Sequence, residues 1–203
     1  LWVLAREGAV VCGVARTRES LDDTLAAVKN AGGDGAVVSA DLSDPSKAEL
    51  AVENAIETLG RIDILINAAG VGYSIKDTSL GSMDPIDTTP IDKWREVMSI
   101  NLDSLFYVSR LVLQQMKKQQ SGSIVNVASI FGLGGAPNAH TYTATKGAII
   151  NLTRSMAVAY IDDGIRSNAV APGFVTTQMV EVVLDELFSA ENAQATSPMR
   201  RPA

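Results

Sequence analysis

One cysteine and one histidine among 203 residues remove two kinds of chemistry at the outset. Cys12 has no second thiol to pair with, and its place in the apolar run 10–14 reads as a small core residue of a protein in a reducing compartment. His140 has no cluster of Cys, His or carboxylates around it in the sequence, so no metal site is expected. It reads as lining a substrate cleft or as plain surface. Positive charge is scarce as well: 17 Lys and Arg against 23 Asp and Glu leave a net charge of −6 and a pI near 4.8. That balance argues against a nucleic-acid or anionic-membrane partner and leaves a small molecule as the expected ligand. No apolar run approaches the ~20 residues of a membrane span, and residues 1–5 are cut short by Arg6 and Glu7 before they could form a signal-peptide core. A cytoplasmic protein is the default, with a targeting segment ahead of Leu1 left open. Without a secretory signal the sequon at Asn151 to Thr153 reads as accidental.

What is present fits a single soluble domain over residues 1–203, with 46% hydrophobic and 20% charged residues excluding the disordered and fibrous classes. Residues 1–7 resemble the last turns of a helix stopped by Gly8. A Val-rich strand over 10–14 leads to a helix over 20–30 with Leu21, Leu25 and Val28 on one face. A strand over 36–40 follows. Asp44 as N-cap and Pro45 at the first helical position start a helix over 45–59 that Gly60 stops. Residues 62–66 form a third buried strand, and the aperiodic stretch 71–89 is a candidate substrate-side loop. Thr89 and Pro90 repeat the capping signal and open one long helix to about residue 119, whose apolar residues spread beyond one stripe. A strand over 124–128, a Gly-rich loop, a helix over 141–162, a strand over 166–170 and an amphipathic helix over 180–188 complete the chain. Alternating strands and helices with short joints predict an α/β, Rossmann-like, doubly wound, three-layer parallel sheet.

In such sheets ligands bind beyond the carboxyl ends of the strands, so polar residues with chemistry should follow strands. Arg16, Asp41, Asn67, Ser129 and the pair Pro172 and Gly173 all do, and one crevice is expected to gather them. Tyr142 and Lys146 lie four apart in a helical run, one turn apart on one face, where an ammonium can help set the state of a phenol. Taken singly, Ser129 is a residue closing a turn, Asn101 a helix-interior amide, and Asp41 a turn former.

In this order and spacing, Asp41, Asn67-Ala68-Ala69-Gly70, Asn101, Ser129, Tyr142-x-x-x-Lys146 and Pro172-Gly173 resemble the short-chain dehydrogenase/reductase family along the whole chain, with 3-oxoacyl reductases the nearest look. The resemblance implies an oxidoreductase that interconverts a ketone and a secondary alcohol. Tyr142 would exchange the proton and Ser129 would hold the substrate oxygen. Lys146 would lower the phenol pKa and hold the nicotinamide ribose, and Asn101 would position a water linking Lys146 to solvent. Cofactor contacts carried over are Arg16, Asp41, Leu42, Asn67, Ala68, Ala69, Gly70, Tyr142, Lys146, Pro172, Gly173, Val175 and Thr177. Ala68 stands where the family more often has a second Asn. Ala15 stands where an acid would take the ribose 2′-hydroxyl of NAD, and Arg16 follows it, so NADP(H) is preferred and NAD(H) is possible. A homodimer or homotetramer through the helices 90–119 and 141–162 is expected. The family's first strand with its Gly-rich pyrophosphate turn and its last helix and strand are not in these 203 residues, which predicts exposed sheet edges and low stability for the chain as it stands. The alternatives are a sugar or steroid alcohol dehydrogenase of the same family, or a non-catalytic remnant that cannot bind cofactor.

Overall fold

The structure, a computed structural model, describes residues 1–177; the amphipathic helix expected over 180–188 lies outside them. Among the described residues five strands and six α-helices follow one another as α1 (Trp2–Arg6), β1 (Val11–Ala15), α2 (Arg18–Asn30), β2 (Gly35–Ser39), α3 (Pro45–Leu59), β3 (Ile64–Asn67), α4 (Ile91–Met98), α5 (Ser104–Gln119), β4 (Gly122–Val127), α6 (His140–Ala159) and β5 (Ile165–Val170). This is the α/β, Rossmann-like arrangement expected from the pattern. The strands form two sheets, β1-β2 and β3-β4-β5. β1 and β2 run parallel in the register Val11 with Gly35 through Ala15 with Ser39.

Local signals explain most boundaries. The Asp44 carboxylate accepts from the N–H groups of Ser46 (2.9 Å) and Lys47 (3.1 Å), which satisfies two orphan donors of α3, and Gly60 ends the helix at φ 75°. Three expectations need correction. β3 is not buried on both faces: Ile64 and Ile66 are exposed, since no described element covers that face of the strand. Thr89 does not cap α4; its hydroxyl donates to the carbonyls of Asp84 and Pro85, and Pro90 takes the cap position. Nor is the helix over 90–119 continuous. It is broken by a π-helical stretch, Ser99–Asp103, which inserts the wider i to i+5 turn between α4 and α5. No Pro or Gly marks that stretch, so its cause is tertiary. It brings Asn101 to a buried position where its amide has partners outside the helix.

The described residues fall into two compact, interleaved units: 1–65, 103–124 and 159–166, and then 66–102, 125–158 and the residues from 167 on. In the first, Ala5, Val11 and Val28 form a buried cluster, and α3, which packs on α5, buries the small residues Ala48, Ala51 and Ala55. In the second, Met83, Val97 and Ala139 are buried together, with Tyr73, Ile75 and Tyr142 against them.

Candidate active site

In the second unit, β4 ends at Val127 and the pairing with β5 continues past it. Ala128 N–H donates to Val170 O (2.8 Å) and Ile130 N–H to Pro172 O (3.1 Å), which sets Ser129 beside the Pro172-Gly173 turn. Ser129 is buried and in extended backbone, and its hydroxyl caps the following 3-10 turn by accepting from Phe131 N–H (3.2 Å). The turn-closing role weighed for Ser129 is therefore real. The same hydroxyl is also the hydrogen-bond partner of the Tyr142 phenol, so the two roles coexist.

Lys146 follows Tyr142 by one turn of α6 and is only 6% exposed. Its Nζ donates to Val127 O (2.8 Å) and stands 5.5 Å from the centre of the Tyr142 ring. Burial dominates both ionisations because water that would solvate the charged forms is excluded. It pushes the Tyr142 phenol above its ordinary value against the opposing effect of the Ser129 hydrogen bond, and it brings Lys146 down to about 8. The expected depression of the phenol by Lys146 is thus reversed, and desolvation is the reason.

Asn101, 1% exposed, grips the backbone of Val71 with both ends of its amide: Oδ1 accepts from Val71 N–H (2.7 Å) and Nδ2 donates to Val71 O (2.9 Å). Nδ2 also reaches Thr145 Oγ1 (3.3 Å), whose hydroxyl donates to Tyr142 O (2.7 Å). The π-helical stretch, the start of the 71–90 segment and α6 are tied by one polar chain. Two glycines are required for this closeness. A Cβ on Gly70 would stand 3.1 Å from Asn101 Oδ1, and one on Gly132 would stand 2.6 Å from the carbonyl carbon of Lys146.

Several contributors escaped sequence reading. Asn126, fully buried, accepts from Asn67 Nδ2 (2.9 Å) and donates to Thr153 Oγ1 (2.8 Å), which holds the end of β3 to α6. Thr145 and Thr153 look like ordinary helix residues, and nothing in their spacing marks them. Asn126 at an inward strand position is the one that could have been suspected, because a buried amide must find partners. Phe131 stacks edge-on against both Tyr142 (6.3 Å between centroids) and Phe174 (5.7 Å), forming an aromatic wall beside the phenol.

The remaining predicted residues are placed as follows. In the second unit Asn67 ends β3, Ala68 and Ala69 are exposed after it, and Gly173, Val175 and Thr177 are exposed near the end of the described residues. In the first unit Arg16, Asp41 and Leu42 follow the carboxyl ends of the paired strands β1 and β2, where Ser39 Oγ donates to Arg16 O (2.9 Å) and Ala40 N–H to Ala15 O (2.9 Å). The Asp41 carboxylate accepts from the hydroxyl (2.7 Å) and N–H (3.1 Å) of Ser43. The Ser43 hydroxyl bond, with smaller help from the Arg16 guanidinium, holds its pKa below the ordinary carboxylate value. Arg16 itself is exposed. Among the described residues no group of three His, Cys, Asp or Glu side chains could hold a metal ion, and no helix is long and apolar enough to cross a membrane.

An α/β sheet with a Ser, a Tyr and a Lys gathered beyond a strand end defines a class, and comparison with known proteins agrees. The short chain dehydrogenase family model matches residues 2–187, and the chain belongs to that family. It is 36% identical over 163 residues to 2-(R)-hydroxypropyl-CoM dehydrogenase of Xanthobacter autotrophicus, covering 80% of this chain and 63% of that protein. It is 33% identical to a 3-oxoacyl-[acyl-carrier-protein] reductase of Thermotoga maritima, covering 98% of this chain and 76% of the relative. The crystal structure of levodione reductase superposes with a TM-score of 0.86 at 33% identity, over 99% of this chain and 78% of that one. The chain spans just under two thirds of the length of the first curated relatives it matches, 63%, 65% and 64%.

Proposed function

We propose that this chain carries the catalytic residues of an NADP(H)-dependent oxidoreductase that interconverts a ketone and a secondary alcohol. The observation that carries the reading is the half-buried phenol of Tyr142, hydrogen-bonded to the Ser129 hydroxyl with the buried Lys146 ammonium one helical turn behind it. In the reductive direction the Tyr142 hydroxyl donates its proton to the substrate carbonyl oxygen while the Ser129 hydroxyl holds that oxygen in line. Because burial raises the phenol pKa, Tyr142 arrives protonated at neutral pH, which suits a proton donor. When bound, the nicotinamide supplies the hydride. The chain's task is to hold the carbonyl, exclude water with the wall of Phe131 and Phe174, and deliver the proton at the Tyr142 oxygen.

Each unit by itself carries residues whose chemistry suits one part of a dinucleotide. Lys146, Tyr142, Asn67, Ala68, Ala69, Gly70, Pro172, Gly173, Val175 and Thr177 would take the nicotinamide end, and the missing Cβ of Gly70 leaves Asn101 and Lys146 their close approach there. Asp41 and Leu42 would meet the adenine. Arg16, exposed after β1 with Ala15 in the position of an acid, supports a 2′-phosphate and hence NADP(H) over NAD(H). The exposed Phe106 of α5 and Val158 of α6 support assembly of copies through those helices. The test is reduction of a ketone panel by the full-length protein with NADPH and with NADH, using Tyr142→Phe as control. Turnover with NADPH, reduced about 10²- to 10⁴-fold by the substitution, is expected. Equal turnover in Tyr142→Phe, or no binding of either nucleotide, overturns the reading and favours a non-catalytic relative.

A further inference from the structure

We propose that His140 is a positioning residue for this reaction: a neutral imidazole protonated on Nε2 that fastens the 71–90 segment to the start of the catalytic helix α6, and through it sets the place of the Tyr142 phenol. The proposal rests on the oxidoreductase reading for what Tyr142 does. It rests on geometry for what His140 does.

Both ring nitrogens are engaged. Ile86 N–H lies 3.0 Å from His140 Nδ1, and Nε2 lies 3.2 Å from Ala136 O. A backbone N–H can only donate, so Nδ1 must be the bare nitrogen. The ring proton then sits on Nε2 and points at a carbonyl that can only accept. One tautomer satisfies both contacts, and protonation of both nitrogens would turn Nδ1 into a donor facing a donor. The ring thereby joins two separate segments, 71–90 and 130–139, at the first residue of α6.

The neighbouring residue shows that this junction is held under constraint. Ala139 has φ 55°, a left-handed conformation that costs a non-glycine residue about 1 kcal/mol or more. It is held there by burial with Met83 and Val97 and by its N–H donating to Met83 O (2.8 Å). Asn138, next upstream, accepts from the Tyr73 hydroxyl (2.8 Å). Three consecutive residues, 138 to 140, are each bonded to the 71–90 segment, at Tyr73, Met83 and Ile86. Tyr142 is packed against the same buried cluster two residues later. Ile86 is 65% exposed, so its side chain contributes little packing and its amide is the part the junction uses. Of the three bonds, only the one at His140 depends on a side chain of α6 itself.

Two amide replacements separate the two contacts of the ring. His140→Asn sets a carboxamide oxygen near the position of Nδ1 and keeps the Ile86 bond. His140→Gln reaches the position of Nε2 and keeps only the Ala136 bond. In the full-length protein, His140→Ala and His140→Gln are expected to lower kcat about ten- to a hundredfold with the KM for cofactor unchanged, as a displaced proton donor does, whereas His140→Asn stays within about threefold of wild type. Unchanged kcat in Ala and Gln, or loss in Asn equal to that in Ala, overturns the proposal. A readout free of turnover accompanies these variants. In protein labelled with 15N-histidine, the resonance lost in His140→Asn should show a protonated Nε2 and a bare Nδ1, and the Ile86 amide should be protected from hydrogen exchange. The opposite tautomer or rapid exchange at Ile86 refutes the junction even where His140→Ala does not fold. Activity retained in Tyr142→Phe would instead defeat the oxidoreductase reading and leave these two measurements standing.

Discussion

The residues after β1 and β2 and the group Asn101, Ser129 and Lys146 are held by very different means. Asn101, Ser129 and Lys146 are buried, and each makes hydrogen bonds to backbone atoms distant in sequence or at the next turn. Arg16 is exposed, and its backbone carbonyl accepts a hydrogen bond from the Ser39 hydroxyl. On the proposed reading the group of Asn101, Ser129 and Lys146 serves proton transfer, which demands positions fixed within fractions of an ångström, and burial lowers the Lys146 pKa as a consequence. A charge that meets a phosphate needs reach and solvation until its ligand arrives, so it tolerates an exposed position.

The comparison breaks most sharply at Asn101. Asn101→Ala leaves the buried N–H and carbonyl of Val71 without partners, and a denaturant melt is expected to show a loss of about 2–4 kcal/mol, against none for Arg16→Ala. A loss at Arg16 comparable to that at Asn101 would erase the distinction. Next in size is the direction of the reaction. Alcohol oxidation requires Tyr142 to accept a proton, and its pKa is raised, so the oxidative rate should climb about tenfold per pH unit from neutral pH upward while the reductive rate stays flat to about pH 8. An oxidative rate that levels off below neutrality would mean the phenol is already ionised. Arg16→Ala sharpens the other half of the contrast, with NADPH expected to bind about tenfold more weakly while NADH changes little, as read by nucleotide fluorescence titration. Equal weakening of both would remove the 2′-phosphate role.

The smallest effect concerns Lys146. Its pKa of about 8 in the folded chain lies below the unfolded value, so the unfolded state binds more protons between about pH 8 and 10.5 and folding stability rises with pH there. Wild type should gain on the order of 1 kcal/mol between about pH 7 and 9 from this group, a gain absent in Lys146→Met. Parallel stability profiles for the two proteins would show that the ammonium is better solvated than its burial suggests.

Caps and periodicity are local, and so the elements of the first unit were legible before any coordinates. Asp44, Pro45 and Gly60 bound α3 where the chain said they would, because a carboxylate at an N-cap and a glycine at positive φ act on their own neighbours. The strand-end rule likewise picked out Arg16, Asp41 and Ser129, since alternation of strand and helix fixes which ends face the same way. Tyr142 and Lys146 were readable from their spacing, which a helix turns into a shared face. The unreadable part is of another kind. The π-helical stretch at Asn101, the reversal of the Tyr142 shift, the exposed face of β3 and the junction at His140 all depend on which distant segment lies against which. A bond from Asn101 to Val71 spans 30 residues and one from His140 to Ile86 spans 54, and no local propensity carries such a choice. Desolvation, too, is set by everything packed around a group. Residue types and spacing therefore marked out the pair Tyr142 and Lys146, while burial and long-range hydrogen bonds decide the direction of each pKa shift and the place each side chain holds.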